Sequence, residues 1–310
     1  MRILRAILPA AAALAVVAAF AAAAQDWRER AYDPAPGSKW IIQRDLTTEE
    51  TTVENGRTSV LAGTLKITSE LTVESKTADG FRVAYRRTRS QFDGNNHDPA
   101  TMRAALAALD NILIRASTDR SGKPLRVENL DDIRNGLRKL VDGVAGRNPA
   151  DAAQVRALLG RMTTIDAVQA AQLYLDEVPL LSLGQNTGLK PGEVRRSTEQ
   201  MPTPIGAPLV KTSTLSIAAA DPATGKLRLA LTESYDEASM RAFLTELGRN
   251  AGLSASDVQT MKISLEARTE MDVEDGVTRR ISRVSTTSND RMGNRKVTVS
   301  RKLVTVTPSR

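Results

Sequence analysis

From Leu65 to Arg87 the chain reads LKITSELTVESKTADGFRVAYRR. Leu65, Ile67, Leu71 and Val73 hold odd positions, while Lys66, Thr68, Glu70, Thr72 and Glu74 hold even ones. A period of two sends the first set to one face of a strand and the second to water. Asp79-Gly80 supplies a turn, and Phe81, Val83 and Tyr85 resume the odd-numbered apolar face. The pattern predicts a β-hairpin wet on one side, and hence part of an antiparallel sheet.

The same alternation returns near the end of the chain. Met261, Ile263, Leu265, Ala267, Met271 and Val273 alternate with Lys262, Ser264, Glu266, Arg268, Glu270 and Asp272. Asp275-Gly276 then turns the chain into Val277–Thr287, and 291–294 turns it again into Arg295–Thr307. Val297 and Val299 are odd but Val304 and Val306 are even, a phase slip that predicts a bulge near Arg301. Residues 65–90 lie on residues 261–286 at a constant offset of 196, matching Glu70 with Glu266, Glu74 with Glu270 and Asp79-Gly80 with Asp275-Gly276. Duplication explains this match. So do two independent hairpins of equal loop length, and both readings stay open.

Between the hairpins the period changes. Lys39–Leu46 predicts a strand with Trp40, Ile42 and Leu46 in phase, followed by a polar stretch ending in the turn signal Asn55-Gly56. Asp98-Pro99 opens a helix with Met102, Leu106 and Leu109 on one side. Ile112–Ser117 and Leu125–Val127 predict two short strands, and Asn129 a second helix with Ile133, Leu137, Leu140 and Val144 inward. Asn148-Pro149 opens a third helix. A capping box at 163–166 opens a fourth that runs to about Glu177. The stretch 178–208 holds five prolines and four glycines and reads as a connector. Strands at Leu209–Ala219 and Lys226–Thr232 follow, then a helix capped by Ser234.

The organisation expected is therefore a signal segment (1–24), a flexible leader (25–38), N-terminal strands plus helical cover (39–177), a connector (178–208) and C-terminal strands completing the sheet (209–310). The fold class is α+β: a curved antiparallel sheet, or half-barrel, covered by amphipathic helices, with two related halves as the open alternative.

Composition sets where such a fold works. The start MRILRAILPAAAALAVVAAFAAAA has a basic beginning, an apolar centre and a small-residue end, the layout of a cleaved secretory signal. A membrane anchor is the alternative, but Pro9 interrupts the run. Cleavage near Ala24 predicts a soluble periplasmic or secreted protein. The absence of cysteine excludes disulfides, thiolate metal sites and lipid attachment at a cysteine.

Residues 279–310 carry nine Lys or Arg and one acid, Asp290. Arg295, Lys296, Arg301 and Lys302 thus offer a contact to an anionic envelope surface, against the plainer reading of a solvated strand face. The export signal and an aromatic content of 3% argue against nucleic acid.

Candidate chemistry is sparse. His97 is the sole histidine, so a zinc site finds no second His or Cys, and a Ser-His-Asp triad could use only His97. No phosphate loop, dinucleotide fingerprint or nucleophile elbow occurs. The carboxylate pairs Glu49-Glu50 and Asp131-Asp132 fit a polar segment and a helix start. No enzyme, metal or cofactor is expected. A sheet with one apolar face needs cover, and an imperfect cover leaves an aliphatic cavity.

Two further stretches, Ser121–Ile133 (SGKPLRVENLDDI) and Leu189–Val194 (LKPGEV), set among exported strands and hairpins, resemble uncharacterised bacterial exported proteins. Their architecture is similar to the half-barrel lipid and lipoprotein carriers of the cell envelope. That resemblance implies a curved sheet closed by helices with an acyl-chain cavity, and it carries over no catalytic residue. The expected ligand is a lipid or other hydrophobic molecule. Leu65, Ile67, Leu71 and Val73 would form one wall, Met261, Ile263 and Leu265 another, and Leu180, Leu181 and Leu183 a lid. An envelope interaction module with a filled core is the rival reading, and a carboxylate-dependent hydrolase a distant third.

Overall fold

The computed structural model describes residues 29–95, 103, 106–107, 109–145, 164–185, 187–201, 203, 206–221, 223–250, 252, 254–291 and 294–309. The signal segment, His97, most of the helix opened at Asp98-Pro99 and the third helix lie outside them.

Among the described residues eleven strands form one open antiparallel sheet in the order β5-β4-β3-β2-β1-β11-β10-β9-β8-β7-β6. They are β1 Lys39–Glu54, β2 Arg57–Lys76, β3 Gly80–Gly94, β4 Leu113–Asp119, β5 Pro124–Val127, β6 Val194–Met201, β7 Leu209–Asp221, β8 Lys226–Tyr235, β9 Lys262–Glu274, β10 Val277–Arg291 and β11 Asn294–Ser309. Both expected hairpins are present as β2–β3 and β9–β10. They flank the central pair β1 and β11, whose residues Lys39–Val53 pair antiparallel with Arg295–Ser309. Described helices are few: α1 Leu130–Ala145, α2 Ala167–Tyr174, α3 Glu237–Asn250 and α4 Ala255–Thr260, with a 3₁₀ turn at Val178–Ser182.

One face carries the core. Trp40, Ile42, Leu71, Val73, Val83, Tyr85, Met271, Ile281, Val304 and Val306 are buried there. Ala170, Ala171, Tyr174, Leu175, Val178 and Leu181 pack into the same cluster from α2 and the turn. α1 adds Leu130, Ile133 and Leu137 to that cluster beside β4, while α3 and α4 close a separate small cluster of Met240, Leu244 and Val258, so the described helices cover only part of the sheet. Helices covering the whole sheet are thus not what the described residues show.

Several local expectations change. The polar stretch after Leu46 is strand to Glu54, because it lies between β2 and β11 and its backbone groups pair on both sides. No bulge occurs at Arg301, where β11 keeps unbroken register with β1 and β10. Val297 and Val299 simply face the other side. Among the described residues the irregularities fall instead at Thr68/Ser69, Val73/Ser75, Ser117/Thr118, Ile217/Ala219 and Thr278/Arg280. The connector contains an edge strand, β6, exposed along nearly all its length; with both faces wet it carries no alternation to read. The box at 163–166 is shifted: Asp166 itself caps α2, reciprocally with Gln169. Asp236, not Ser234, accepts from the Ser239 N–H at the start of α3, because Ser234 still pairs within β8.

The leader is tied down over residues 29–38. Tyr32 is buried edge-on against Phe81, with ring centroids 5.6 Å apart. Glu29 accepts the Thr187 N–H at 2.9 Å, Arg30 pairs with Asp275, and Asp33 pairs with Lys76.

The turns of the two hairpins differ. Asp275 and Gly276 both have positive φ (51° and 73°), the two-residue turn that suits twisted strands. Asp79-Gly80 does not use that turn: Gly80 opens β3, and its N–H meets the Thr77 hydroxyl at 3.1 Å. Gly80 is needed for another reason, since a Cβ there would collide with the Thr118 carbonyl of β4.

Candidate functional site

Two places combine side chains in ways a plain core does not require. The first is a buried polar latch. Ser69 interrupts the odd-numbered apolar run of β2, and Arg44 interrupts the even-numbered run Trp40, Ile42, Leu46 of β1. Antiparallel pairing of Arg44 with Ile67 and of Leu71 with Tyr85 brings these polar groups to one spot on the covered face. Glu177, between α2 and the 3₁₀ turn, descends onto them and is fully buried. Its Oε2 accepts from the Ser69 hydroxyl at 2.8 Å and from the Tyr85 hydroxyl at 2.9 Å. Its Oε1 lies 3.3 Å from Arg44 Nε, and Arg44 also pairs with Asp176 at 2.6 Å.

The charge balance explains the titration shifts. Burial would lower the Arg44 pKa, but the Asp176 and Glu177 carboxylates outweigh it and the net shift is upward. Burial, reinforced by the Glu177 charge, pushes the Tyr85 phenol up, so it stays a proton donor. Lys302 on β11 is pushed down by burial and by the Arg44 charge. The latch binds the Glu177 carboxylate to fixed donors, and this fastens the helical segment to the sheet. Sequence reading overlooked it. The signal was present as polar residues in phase with apolar ones, at Arg44 and Ser69.

The second place is a pocket of about 370 Å³ beneath α3. Strands β8 and β9 pair only as far as Ser234 and Glu266. There the chain leaves β8 for α3, while β9 continues back to Lys262 on β10 alone. The splay opens a gap. Tyr235, Met240, Leu244, Met261, Ile263 and Leu265 give its apolar lining, with Glu237, Arg241 and Glu266 at its polar parts. Arg241 donates to the carbonyls of Val258, Gln259 and Met261 at 3.0–3.3 Å, so α4 is held against α3. Alternate backbone groups of β9 on the β8 side have no strand partner in this gap.

The expected ligand residues therefore separate. Met261, Ile263 and Leu265 come together at this pocket. Ile67, Leu71 and Val73 are buried at 2% exposure or less, and Leu65 is half-buried. β2 and β9 have three strands between them, and none of these β2 residues lines the pocket that holds Met261, Ile263 and Leu265. Leu181 is fully buried in the main cluster, Leu180 packs on that cluster, and Leu183 is exposed. The 178–182 turn is thus a plug in the core and not a lid over a cavity. The basic residues also divide. Lys296 and Lys302 share a face with Val304, whereas Arg295 and Arg301 point to the opposite one, so the four do not form a single patch. Glu50 of the first carboxylate pair meets Lys296 at 2.8 Å, and Asp131 of the second meets Arg134 at 3.1 Å.

No family model matches the chain, and no curated protein matches it. Solved structures give distant likenesses. One is lipovitellin, at 10% identity and TM-score 0.41, covering 90% of this chain and 26% of that one. Another is the outer membrane channel COG4313 of Pseudomonas putida F1, at 8% identity and TM-score 0.19, covering 90% and 98%. A third is the translocator domain of autotransporter NalP from Neisseria meningitidis, at 9% identity and TM-score 0.17, covering 96% of each. The chain thus spans about a quarter of the lipovitellin chain it matches. At these values none identifies a family.

Proposed function

We propose that this chain is an exported, non-catalytic binding protein for a lipid or other hydrophobic molecule, and that its ligand sits beneath α3. The observation that carries the reading is the splay of β8 from β9. It leaves a gap of about 370 Å³, aliphatic on part of its wall and polar on the rest, apart from the main core. Small-molecule sites commonly occupy about 300–1,000 Å³ and combine aliphatic walls with a few polar groups. Tyr235, Met240, Leu244, Ile263 and Leu265 would take an aliphatic chain, and the free β9 backbone groups with Arg241 and Glu237 would orient a polar end. Met240 and Met261 suit such a role, since unbranched thioethers adapt to varied shapes.

The test is native mass spectrometry of protein isolated from its host, joined to titration with a fluorescent fatty acid. Bound adducts and saturable uptake, both abolished in Ile263→Trp, are expected. A clean ligand-free mass with no uptake would overturn the proposal, as would uptake that Ile263→Trp leaves unchanged.

A further inference from the structure

A second cavity lies at the other side of the sheet, four strands' breadth and more from the pocket under α3. It has about 170 Å³ and is lined by Tyr85, Arg87, Leu109, Ile112, Ile114, Leu173 and Tyr174. Arg87 stands two residues along β3 from Tyr85, on the face that carries Ser69 and Val83. Its Nε is buried and meets no hydrogen-bond acceptor. The contrast with Arg44 is direct: that guanidinium has Asp176 and Glu177, whereas Arg87 has no carboxylate partner within 4 Å among the described residues.

A buried guanidinium N–H without an acceptor is costly, and such a group asks for a missing partner. Among the described residues, neighbouring side chains do not supply one. The Tyr85 hydroxyl is committed to Glu177, and the remaining lining is aliphatic apart from the Tyr174 ring. A lone water fits poorly, because buried waters hold about two to four polar partners and this lining offers few. An anion with an apolar tail satisfies both parts at once. Its head accepts from Arg87, and its tail lies on Leu109, Ile112, Ile114 and Leu173.

We infer that this cavity is a binding site for a small carboxylate carrying a short aliphatic chain, held by Arg87. The carboxylate is favoured over larger anions by space: the volume equals about six water-sized groups. A planar carboxylate also matches the guanidinium fork. The site is separate from the pocket under α3 and does not depend on it.

Sodium hexanoate and the neutral analogue hexanol are the probes, titrated into the full mature chain by calorimetry. Hexanoate is expected to bind and hexanol to bind at least about tenfold more weakly, the scale of a charge-assisted hydrogen bond. Arg87→Met keeps the apolar stem and should lose hexanoate binding by about tenfold or more without lowering the melting temperature. Leu173→Trp narrows the cavity from its half-exposed rim and should lose binding of both probes. Ile263→Trp, in the other pocket, should change neither. Absence of hexanoate binding to the unmodified chain overturns the assignment. So does equal binding of hexanoate and hexanol, or hexanoate binding that survives Arg87→Met or Leu173→Trp. Loss of hexanoate binding in Ile263→Trp moves the carboxylate to the pocket under α3 and also overturns it.

Discussion

Ile67 on β2 and Ile263 on β9 hold the same place in two hairpins of one sheet. Four antiparallel steps separate the strands, so they also run in the same direction. Ile67 is 2% exposed, whereas Ile263 is half-buried at the edge of a pocket. One register step further, Ser69 is sealed against Glu177 and its counterpart Leu265 lines the gap. The difference comes from the neighbours. β1 pairs with β2 throughout its inner part, and α2 with its 3₁₀ turn docks on top. β8 abandons β9 at Glu266, and α3 spans the break. Alternation assigns a residue to a face, while burial depends on whether the adjacent strand continues and on what lands there. The likeness also ends with the hairpins: β1 leads into β2 through Asn55-Gly56, but helices α3 and α4 lead into β9.

The strongest way to break this contrast is to unlatch the covered side. Glu177→Ala leaves Ser69 and Tyr85 without their shared acceptor in a buried place and takes one of two carboxylates from Arg44. Removing one partner of such a pair costs about 3–5 kcal/mol, read as a lower urea midpoint. Glu177→Gln keeps an acceptor and should cost less. If Glu177→Ala unfolds at the unmodified midpoint, the latch does not hold the cover.

Next comes the matched pair of truncations. Ile67→Ala removes a fully enclosed side chain and should cost about 2–4 kcal/mol. Ile263→Ala already borders open space and should cost about 1 kcal/mol or less. Equal costs in chemical denaturation would mean that the two hairpins are equally enclosed and that the gap under α3 is filled in solution.

A pH measurement sharpens the comparison further. Lys302 lies on the covered side, and its pKa is lowered by burial and by Arg44. Since its folded value is below the unfolded one, the unfolded chain holds more proton between the two values, and stability rises with pH across that window. Below the folded value the penalty is fully present. Lys302→Met removes it, so the variant should melt higher at neutral pH, with the advantage shrinking as pH climbs through the folded value towards lysine's ordinary one. An advantage independent of pH would point to packing in place of charge.

These effects mark what the chain discloses by itself. The hairpins were legible because one wet face makes a clean period of two. The second half of β1 was not, since Thr47–Glu54 is polar on both faces and is strand only because β2 and β11 run beside it. β6 was hidden for the same reason at the sheet edge. Of the ligand residues, Met261, Ile263 and Leu265 were brought to one pocket. Leu71 and Val73 share their periodicity and became core, because no local signal tells a filled face from an open one. Leu181 looked like part of a loop cluster, and its burial depends on packing against β10, which is distant in sequence. Arg44 and Ser69 were the legible clue that went unused: polar groups in phase with an apolar face need a buried partner.

The smallest expected effect separates the hairpins at their turns, where their sequences are identical. Asp275 and Gly276 hold positive φ, and Asp79 does not. A side chain without a local hydrogen-bonding group loses about 1 kcal/mol or more in the left-handed region, and Asn tolerates it. Asp275→Ala should therefore destabilise by about 1 kcal/mol, whereas Asp275→Asn should stay within a few tenths, its lost surface pair with Arg30 being worth little. Asp79→Ala, at ordinary backbone geometry, should stay within about 0.5 kcal/mol. Equal losses at both aspartates would mean that the two turns share one conformation, and the Asp-Gly match would again count in favour of duplication. Unequal losses leave the matched dipeptides as two separate solutions, one a left-handed two-residue turn at Asp275-Gly276 beneath the Ala31 carbonyl and the other Gly80 in strand geometry against the Thr118 carbonyl of β4.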